Sequence, residues 1–253
     1  MTITFLGTGT SQGVPVIACD CVVCRSLDYR DKRLRVSVWI EVDGKSFVID
    51  TGPDFRQQML RARVRHLDAV LFTHQHKDHT AGLDDVRAFN FSQQKDMPLY
   101  GRQSVLNQIK AEFSYAFSEH RYPGTPRLQL HNIENEPFEV EGTPVIPIEV
   151  MHHQLPVFGY RIGDFAYITD ANYISETELK KLAGTQVLVL DALQRESHLS
   201  HFTLSQALAL IDRLNIPTAY LTHLSHRMGL HGAVEAELPP NVHVAYDGLQ
   251  LVV

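Results

Sequence analysis

The feature that most constrains this chain is the run His74-Gln75-His76-Lys77-Asp78-His79, set directly after the apolar segment Ala69-Val70-Leu71-Phe72. Four of its six side chains are metal-ligating types. A buried strand that feeds such a loop gives a rigid scaffold with a polar tip, a common location for an active site. His74 and His76 alternate with Gln75, so in extended backbone both project to one side. Asp78 and His79 follow where the chain turns toward a helix and can aim at a neighbouring point, so one run can serve two metal positions. Composition points the same way: the 253 residues include 14 histidines, and histidine is the commonest metal ligand.

The surrounding pattern predicts a layered α/β protein. Short apolar, β-branched runs predict strands at Ile3–Leu6, Ser37–Val42, Ser46–Asp50, Ala69–Phe72, Val145–Val150, Phe158–Ile162, Phe165–Thr169, Val187–Leu190, Thr218–Leu221 and Val242–Tyr246. Helices are predicted over Ser104–Phe117, over Ser175–Leu182 with a Ser-Glu-Thr-Glu capping pattern, and over Thr203–Leu214, which stops before Pro217. Gly163-Asp164 reads as a hairpin turn, so part of the sheet is antiparallel and an all-parallel Rossmann fold is disfavoured. GTGTSQG, after the first strand, lacks both the GK[ST] ending and the GxGxxG spacing of phosphate-binding loops. With 44% hydrophobic residues and no linker or repeat, a single domain over residues 1–253 is expected. The net charge of −6 weighs against a nucleic-acid partner. The start MTITFLGTGTSQG has no leader pattern, and no window nears the roughly 18 apolar residues of a membrane span, so a soluble cytoplasmic protein without a membrane partner is expected.

HxHxDH after a central strand resembles the metallo-β-lactamase-fold hydrolases. That resemblance implies a four-layer αββα sandwich of mixed sheets and a dinuclear site for two divalent ions, zinc or manganese. In that superfamily the site is completed by a His after a later strand, a bridging Asp and a final His. Here His152 directly follows VIPIEVM, with His153 as the neighbouring alternative; Asp170 ends FAYITD, and His223 ends AYLTH. His74, His76 and His152 would then hold one ion, Asp78, His79 and His223 the other, and Asp170 both. A water between the ions would be deprotonated near neutrality and poised for in-line attack, which counts Asp78 among the catalytic groups as well as the ligands.

Cys19, Cys21 and Cys24 form CxCxxC and are the only cysteines. Three is too few for a disulfide framework and one ligand short of a tetrahedral structural zinc. The pattern is similar to the branch that includes the phosphodiesterase of the carbon–phosphorus lyase pathway and is related to tRNA-maturing nucleases. There the fourth ligand is a histidine three residues beyond the last catalytic one, here His226 of LTHLSH. The same resemblance assigns His201, in His201-Phe202-Thr203, as the acid that protonates a leaving oxygen. Asp191, ending VLVLD, is suited to orient an imidazole. Asp84, Asp85 and Arg87 suit a helix start, and Ser200 beside His201 is disfavoured as a nucleophile because adjacent residues rarely face each other. The function implied is a dinuclear metal-dependent phosphodiesterase acting on a small, compact or cyclic phosphodiester, in a family whose members are commonly homodimers. Alternatives are a tRNA-maturase-type endoribonuclease, for which a Gly/Pro- and Lys-rich arm is missing, and a thioester or lactam hydrolase. A non-hydrolytic cofactor-biosynthesis protein shares the cysteine pattern but would have lost ligands.

Overall fold

The computed structural model describes residues 1–120 and 122–253. Its strands are Thr2–Gly7 (β1), Ser37–Val42 (β2), Lys45–Ile49 (β3), Ala69–Leu71 (β4), Met97–Gly101 (β5), Leu128–Asn132 (β6), Phe138–Val140 (β7), Thr143–His152 (β8), Leu155–Ile162 (β9), Phe165–Ile168 (β10), Tyr173–Ile174 (β11), Val187–Asp191 (β12), Thr218–Thr222 (β13), Val242–Val244 (β14) and Gln250–Val252 (β15). Among the described residues they form two mixed sheets. The first runs β15-β1-β2-β3-β4-β5-β6; the second runs β11-β8-β9-β10-β12-β13-β14, with β7 on β8. The β3-β4-β5-β6 half of the first and the β10-β12-β13-β14 half of the second are parallel.

Side-chain alternation sets the layers. In β3 and β4, Phe47, Ile49, Ala69 and Leu71 join Phe158, Tyr160, Phe165 and Tyr167 in a core between the sheets. Val48 and Val70 point the other way, onto Phe55, Met59, Phe89, Val105 and Ile109 from the helices Phe55–Ala62, Arg87–Gln93 and Gln103–Glu112. On the second sheet Leu188, Leu190 and Leu221 face Leu179, Leu204, Ile211 and Val234 from the helices Glu176–Leu179, Leu204–Arg213 and His231–Glu235. The result is the αββα sandwich. Ligands bind outside the carboxyl ends of parallel strands in such sheets, and the ends of β4, β10, β12 and β13 lead into residues singled out above.

All ten predicted strands are present with ends shifted by up to three residues, and Gly163 (φ 55°) turns β9 into antiparallel β10. The predicted helix over Ser104–Phe117 is shorter: an α-helix ends at Glu112 and a 3₁₀ turn follows at Ser114–Phe117. The predicted capping box at Ser175 is only half formed. Ser175 accepts from the Glu178 N–H, but the Glu178 carboxylate accepts from the Glu149 N–H at 2.7 Å and from Lys181 at 2.9 Å. A reciprocal box forms instead at Thr203 and Gln206. Among the described residues no helix is long and apolar enough to cross a membrane.

Candidate metal centres

Thr73 starts the ligand run, and its N–H and O–H donate to Asp50 at 2.9 and 2.8 Å. Asp50, directly after β3, lies in the left-handed region (φ 65°), which turns its buried carboxylate inward, where it also accepts from His79 Nδ1 at 2.7 Å. Holding the proton on Nδ1 leaves the Nε2 lone pair of His79 aimed into the centre, the usual role of a carboxylate behind a ligating histidine. Gly52 permits this close approach, since a Cβ there would lie 2.1 Å from the Asp78 carbonyl oxygen. Sequence reasoning missed Asp50. The available signal was a carboxylate ending the apolar run Ser46-Phe47-Val48-Ile49. Asp50→Ala is expected to weaken divalent-metal affinity by about 10–100-fold, as measured by titration with a chromophoric chelator, and unchanged affinity would remove Asp50 from this role.

The ligand run, β8, β10 and β13 deliver their groups to one point. His74 Nε2 lies 3.0 Å from His76 Nδ1, and the His152 ring is 5.6 and 5.2 Å from theirs, centroid to centroid. His153, the alternative, is exposed, and its N–H donates to Asn172. Asp170 Oδ2 lies 3.2 Å from His79 Nε2, and its Oδ1 lies 3.3 Å from His223 Nε2. Asp78 Oδ2 is 3.2 Å from His79 Nε2 and 3.9 Å from His223 Nε2. Asp170 (φ 53°) and His223 (φ 57°) are left-handed like Asp50, a backbone state that turns strand-end side chains toward the centre. The groups therefore assemble as His74, His76 and His152 on one side and Asp78, His79, Asp170 and His223 on the other, each set with ligand atoms within 4.8 Å of one another. His201 joins them: its Nε2 is 4.0 Å from Asp170 Oδ1 and its Nδ1 is 3.5 Å from Asp191 Oδ2, and His152, Asp170 and His201 form a third close set. Asp84 and Arg87 pair with each other at 2.8 Å, and the Ser200 hydroxyl faces His198, while the Ser200 carbonyl accepts from His152 Nδ1 at 2.9 Å.

These residues suit divalent cations on two counts. The buried Nε2 atoms of His79 and His223 have no hydrogen-bond partner, although carboxylate oxygens crowd them. Electrostatics add the second. Burial pushes the protonation of His74 well down and that of His152 to about 4, which keeps both as neutral ligands. Burial also lowers His79 and His223, but Asp170 and Asp78 overcome it and raise both, so this corner demands positive charge. Burial would raise Asp78 and Asp170, yet the facing imidazoles hold both as carboxylates. Imidazole and carboxylate donors of this kind suit zinc, manganese or iron.

A second donor set lies beside the first. Cys19, Cys21 and Cys24 place their Sγ atoms 3.2, 3.5 and 3.4 Å from His226 Nδ1, and no disulfide joins them. The Cys24 N–H donates to Cys21 Sγ and, as the largest influence, pulls that thiol to about 6, while burial pushes Cys24 to about 11. Three sulfurs crowding one imidazole nitrogen match the four donors of a tetrahedral zinc site. Gly9 bridges to Leu224, and Thr10 N–H donates to the Leu224 carbonyl, so the cysteine loop and the loop carrying His223 are also joined through backbone.

A model of the beta-lactamase superfamily domain matches residues 45–224, a span that includes the histidine and aspartate sets but not the cysteines. An octanoyltransferase from Porphyromonas gingivalis is 43% identical over 251 residues, covering 98% of this chain and 51% of that protein. A ribonuclease Z from Gloeothece citriformis is 30% identical over 170 residues, covering 65% of this chain and 47% of that protein. The chain thus spans about half the length of the curated relatives it matches. Among solved structures, a new diphosphatase from the PhnP family superposes with a TM-score of 0.93 at 39% identity, covering 100% of this chain and 97% of that one.

Proposed function

The chain belongs to the beta-lactamase superfamily and, within it, to the PhnP family; from that premise we propose that it is a dinuclear metal-dependent phosphodiesterase for a small phosphodiester. The same reading takes residues 1–253 as one domain, because the two sheets share a buried core. His74, His76 and His152 would hold one divalent ion, Asp78, His79 and His223 the second, and Asp170 both. When bound, such ions supply Lewis acidity, polarising a phosphoryl oxygen and making water nucleophilic near neutral pH.

The observation that carries the reading is the His201–Asp191 pair at the edge of this centre. Burial pushes the Asp191 carboxyl well above its ordinary range and His201 down to about 4. The two facing atoms, His201 Nδ1 and Asp191 Oδ2, are buried and 3.5 Å apart, and burial disfavours the charged form of each group. Asp191 stands behind Nδ1 while Nε2, 4.0 Å from Asp170 Oδ1, faces the centre, so a proton carried on Nε2 can pass to an alkoxide as it leaves while Nδ1 takes one from the Asp191 side. Phosphodiester cleavage needs such an acid. The PhnP-family diphosphatase at 39% identity supports reaction at phosphorus, and the net charge of −6 supports a small substrate over RNA. His201→Ala is expected to lower turnover of an alkyl diester by about 10²–10⁴-fold with Mn²⁺ or Zn²⁺ present. Bis(p-nitrophenyl) phosphate, whose leaving group needs no proton, should be affected far less; equal losses on both would overturn the role.

The octanoyltransferase and ribonuclease Z relatives each suggest a competing substrate. Hydrolysis of an octanoyl thioester that His201→Ala leaves intact would favour acyl chemistry. Tight, salt-sensitive binding of tRNA in a gel shift would favour RNA.

A further inference from the structure

A cleft of about 260 Å³ with aromatic walls opens at the β14 edge of the second sheet and shares no residue with the metal-ligand sets. Four rings line it: Tyr220 from β13, His243 from β14, Tyr246 just after β14, and His231 at the start of the helix His231–Glu235. The Tyr220 and His243 rings lie 5.4 Å apart, centroid to centroid, at 37°, and those of His231 and Tyr246 lie 5.7 Å apart at 82°. Tyr29 sets a further ring 5.8 Å from Tyr246 at 87°. None of these pairs is stacked, which leaves face area for an inserted ring. Val244 and Leu249 add apolar lining.

Two of the rings have a fixed polarity. His231 is 3% exposed, and its Nδ1 lies 3.4 Å from Nη2 of the buried Arg33. A guanidinium has no acceptor, so Nδ1 accepts and the ring proton sits on Nε2. Among the described residues nothing hydrogen-bonds to that Nε2. Arg33 is held in place, because its Nη1 donates to Thr8 Oγ1 at 2.8 Å and to the Ala245 carbonyl at 2.6 Å. Burial first, then the Arg33 and Arg30 charges, push His231 down to about 4, so its ring is neutral. His243 is set the opposite way. Its Nδ1 donates to Glu235 Oε1 at 2.9 Å, since a carboxylate only accepts, which leaves Nε2 of the neutral ring as an acceptor.

Charge narrows the guest further. Arg30 lines the cleft, but Asp28 holds its Nε and Nη2 at 3.0 and 2.7 Å. Glu235 has both oxygens engaged, one by His243 and the other by the Val244 N–H at 2.6 Å. Neither is free to pair with a charged guest. The Arg33 and Arg30 field felt at His231 also opposes an ammonium ion, which an aromatic box would otherwise suit. What fits is a neutral, planar ring that both accepts and donates.

We propose that this cleft is a second binding site, separate from the metal centres, for a nucleobase whose edge carries an amino donor beside a ring-nitrogen acceptor, as in adenine. The base stacks among Tyr220, His243 and Tyr246, accepts from His231 Nε2–H through its ring nitrogen, and donates to His243 Nε2 through its amino group. The site does not depend on the phosphodiesterase reading, because none of its residues serves the metal centres.

Adenosine is the probe, since it carries no phosphate to draw it to the metal centres. With Mn²⁺ bound, calorimetry should show one adenosine per chain, undisturbed by saturating inorganic phosphate. Tyr246→Ala should weaken that binding about tenfold or more, the scale of one lost base–aromatic contact, with metal content and turnover kept, and Tyr246→Phe should preserve it. His243→Phe retains a ring but removes the acceptor. It should weaken adenosine about three- to tenfold, the scale of one hydrogen bond, and leave 6-dimethylaminopurine riboside, which has no amino hydrogen, unchanged. Should Tyr246→Ala not fold, the His243→Phe comparison decides alone. Absence of binding, displacement by phosphate, an affinity untouched by Tyr246→Ala, equal losses on both nucleosides in His243→Phe, or tighter binding of tetramethylammonium than of adenosine would overturn the proposal.

Discussion

Asp170→Ala is expected to lower phosphodiester turnover by about 10³-fold or more at saturating Mn²⁺ or Zn²⁺, with a fall in bound metal of about one ion per chain; several kcal/mol of transition-state stabilisation depend on such ions. Among the described residues Asp170 is the one carboxylate grouped with ligand atoms of both sets, at 3.2 Å from His79 and 3.3 Å from His223 in the one and within 4.8 Å of His152 of the other. Asp170→Asn separates charge from shape. It keeps an oxygen at the same place but cannot balance two cations, so it should also lose most activity. Asp170→Ala should also cost stability, about 3–5 kcal/mol, because it leaves the buried His79 and His223 facing one carboxylate fewer, so thermal melting separates that loss from the loss of catalysis. Metal content by plasma emission, turnover and thermal melting together decide the matter. Full turnover with undiminished metal would remove Asp170 from the bridging role.

Residues adjacent in sequence made much of this centre legible. His74, His76, Asp78 and His79 lie on one short run that spacing alone picks out, whereas His152, Asp170 and His223, each at the end of a recognisable strand, and His201, which ends none, are reached through the resemblance to metallo-β-lactamase-fold hydrolases. Asp50 was not legible, because it acts on His79 from 29 positions away, through a parallel pairing of β3 with β4 that no local pattern announces. The same holds for β5, where Pro98 argues against an interior strand although it sits between β4 and β6. Glu178 shows the converse: its spacing from Ser175 fits a capping box, but tertiary partners at Glu149 and Asn135 take the carboxylate.

Cys24→Ala is expected to lower the melting temperature by about 10 °C and to remove one bound ion per chain, leaving the histidine and aspartate sets to bind theirs. Backbone bonds tie the loop at Gly9, Thr10 and Val14, but around the cysteines little apolar packing holds it. Its hydrophobic cluster has only Val14, Val23 and Cys24 as buried members, and the helix Val22–Arg25, at four residues, is far too short to be stable alone. The order of this segment therefore falls to the sulfur and imidazole donors, which the unfolded chain does not keep assembled, so ion binding there contributes directly to folding stability. A loss of about 3 kcal/mol at about 2–4 °C per kcal/mol gives the stated shift for a chain of this size. Activity should fall as well, because His226 lies three residues past His223 in the loop after β13. Limited proteolysis adds an independent readout, with new cleavage expected between Gln12 and Arg35. Unchanged melting and metal content in both Cys24→Ala and His226→Ala would show that backbone bonding alone holds the loop.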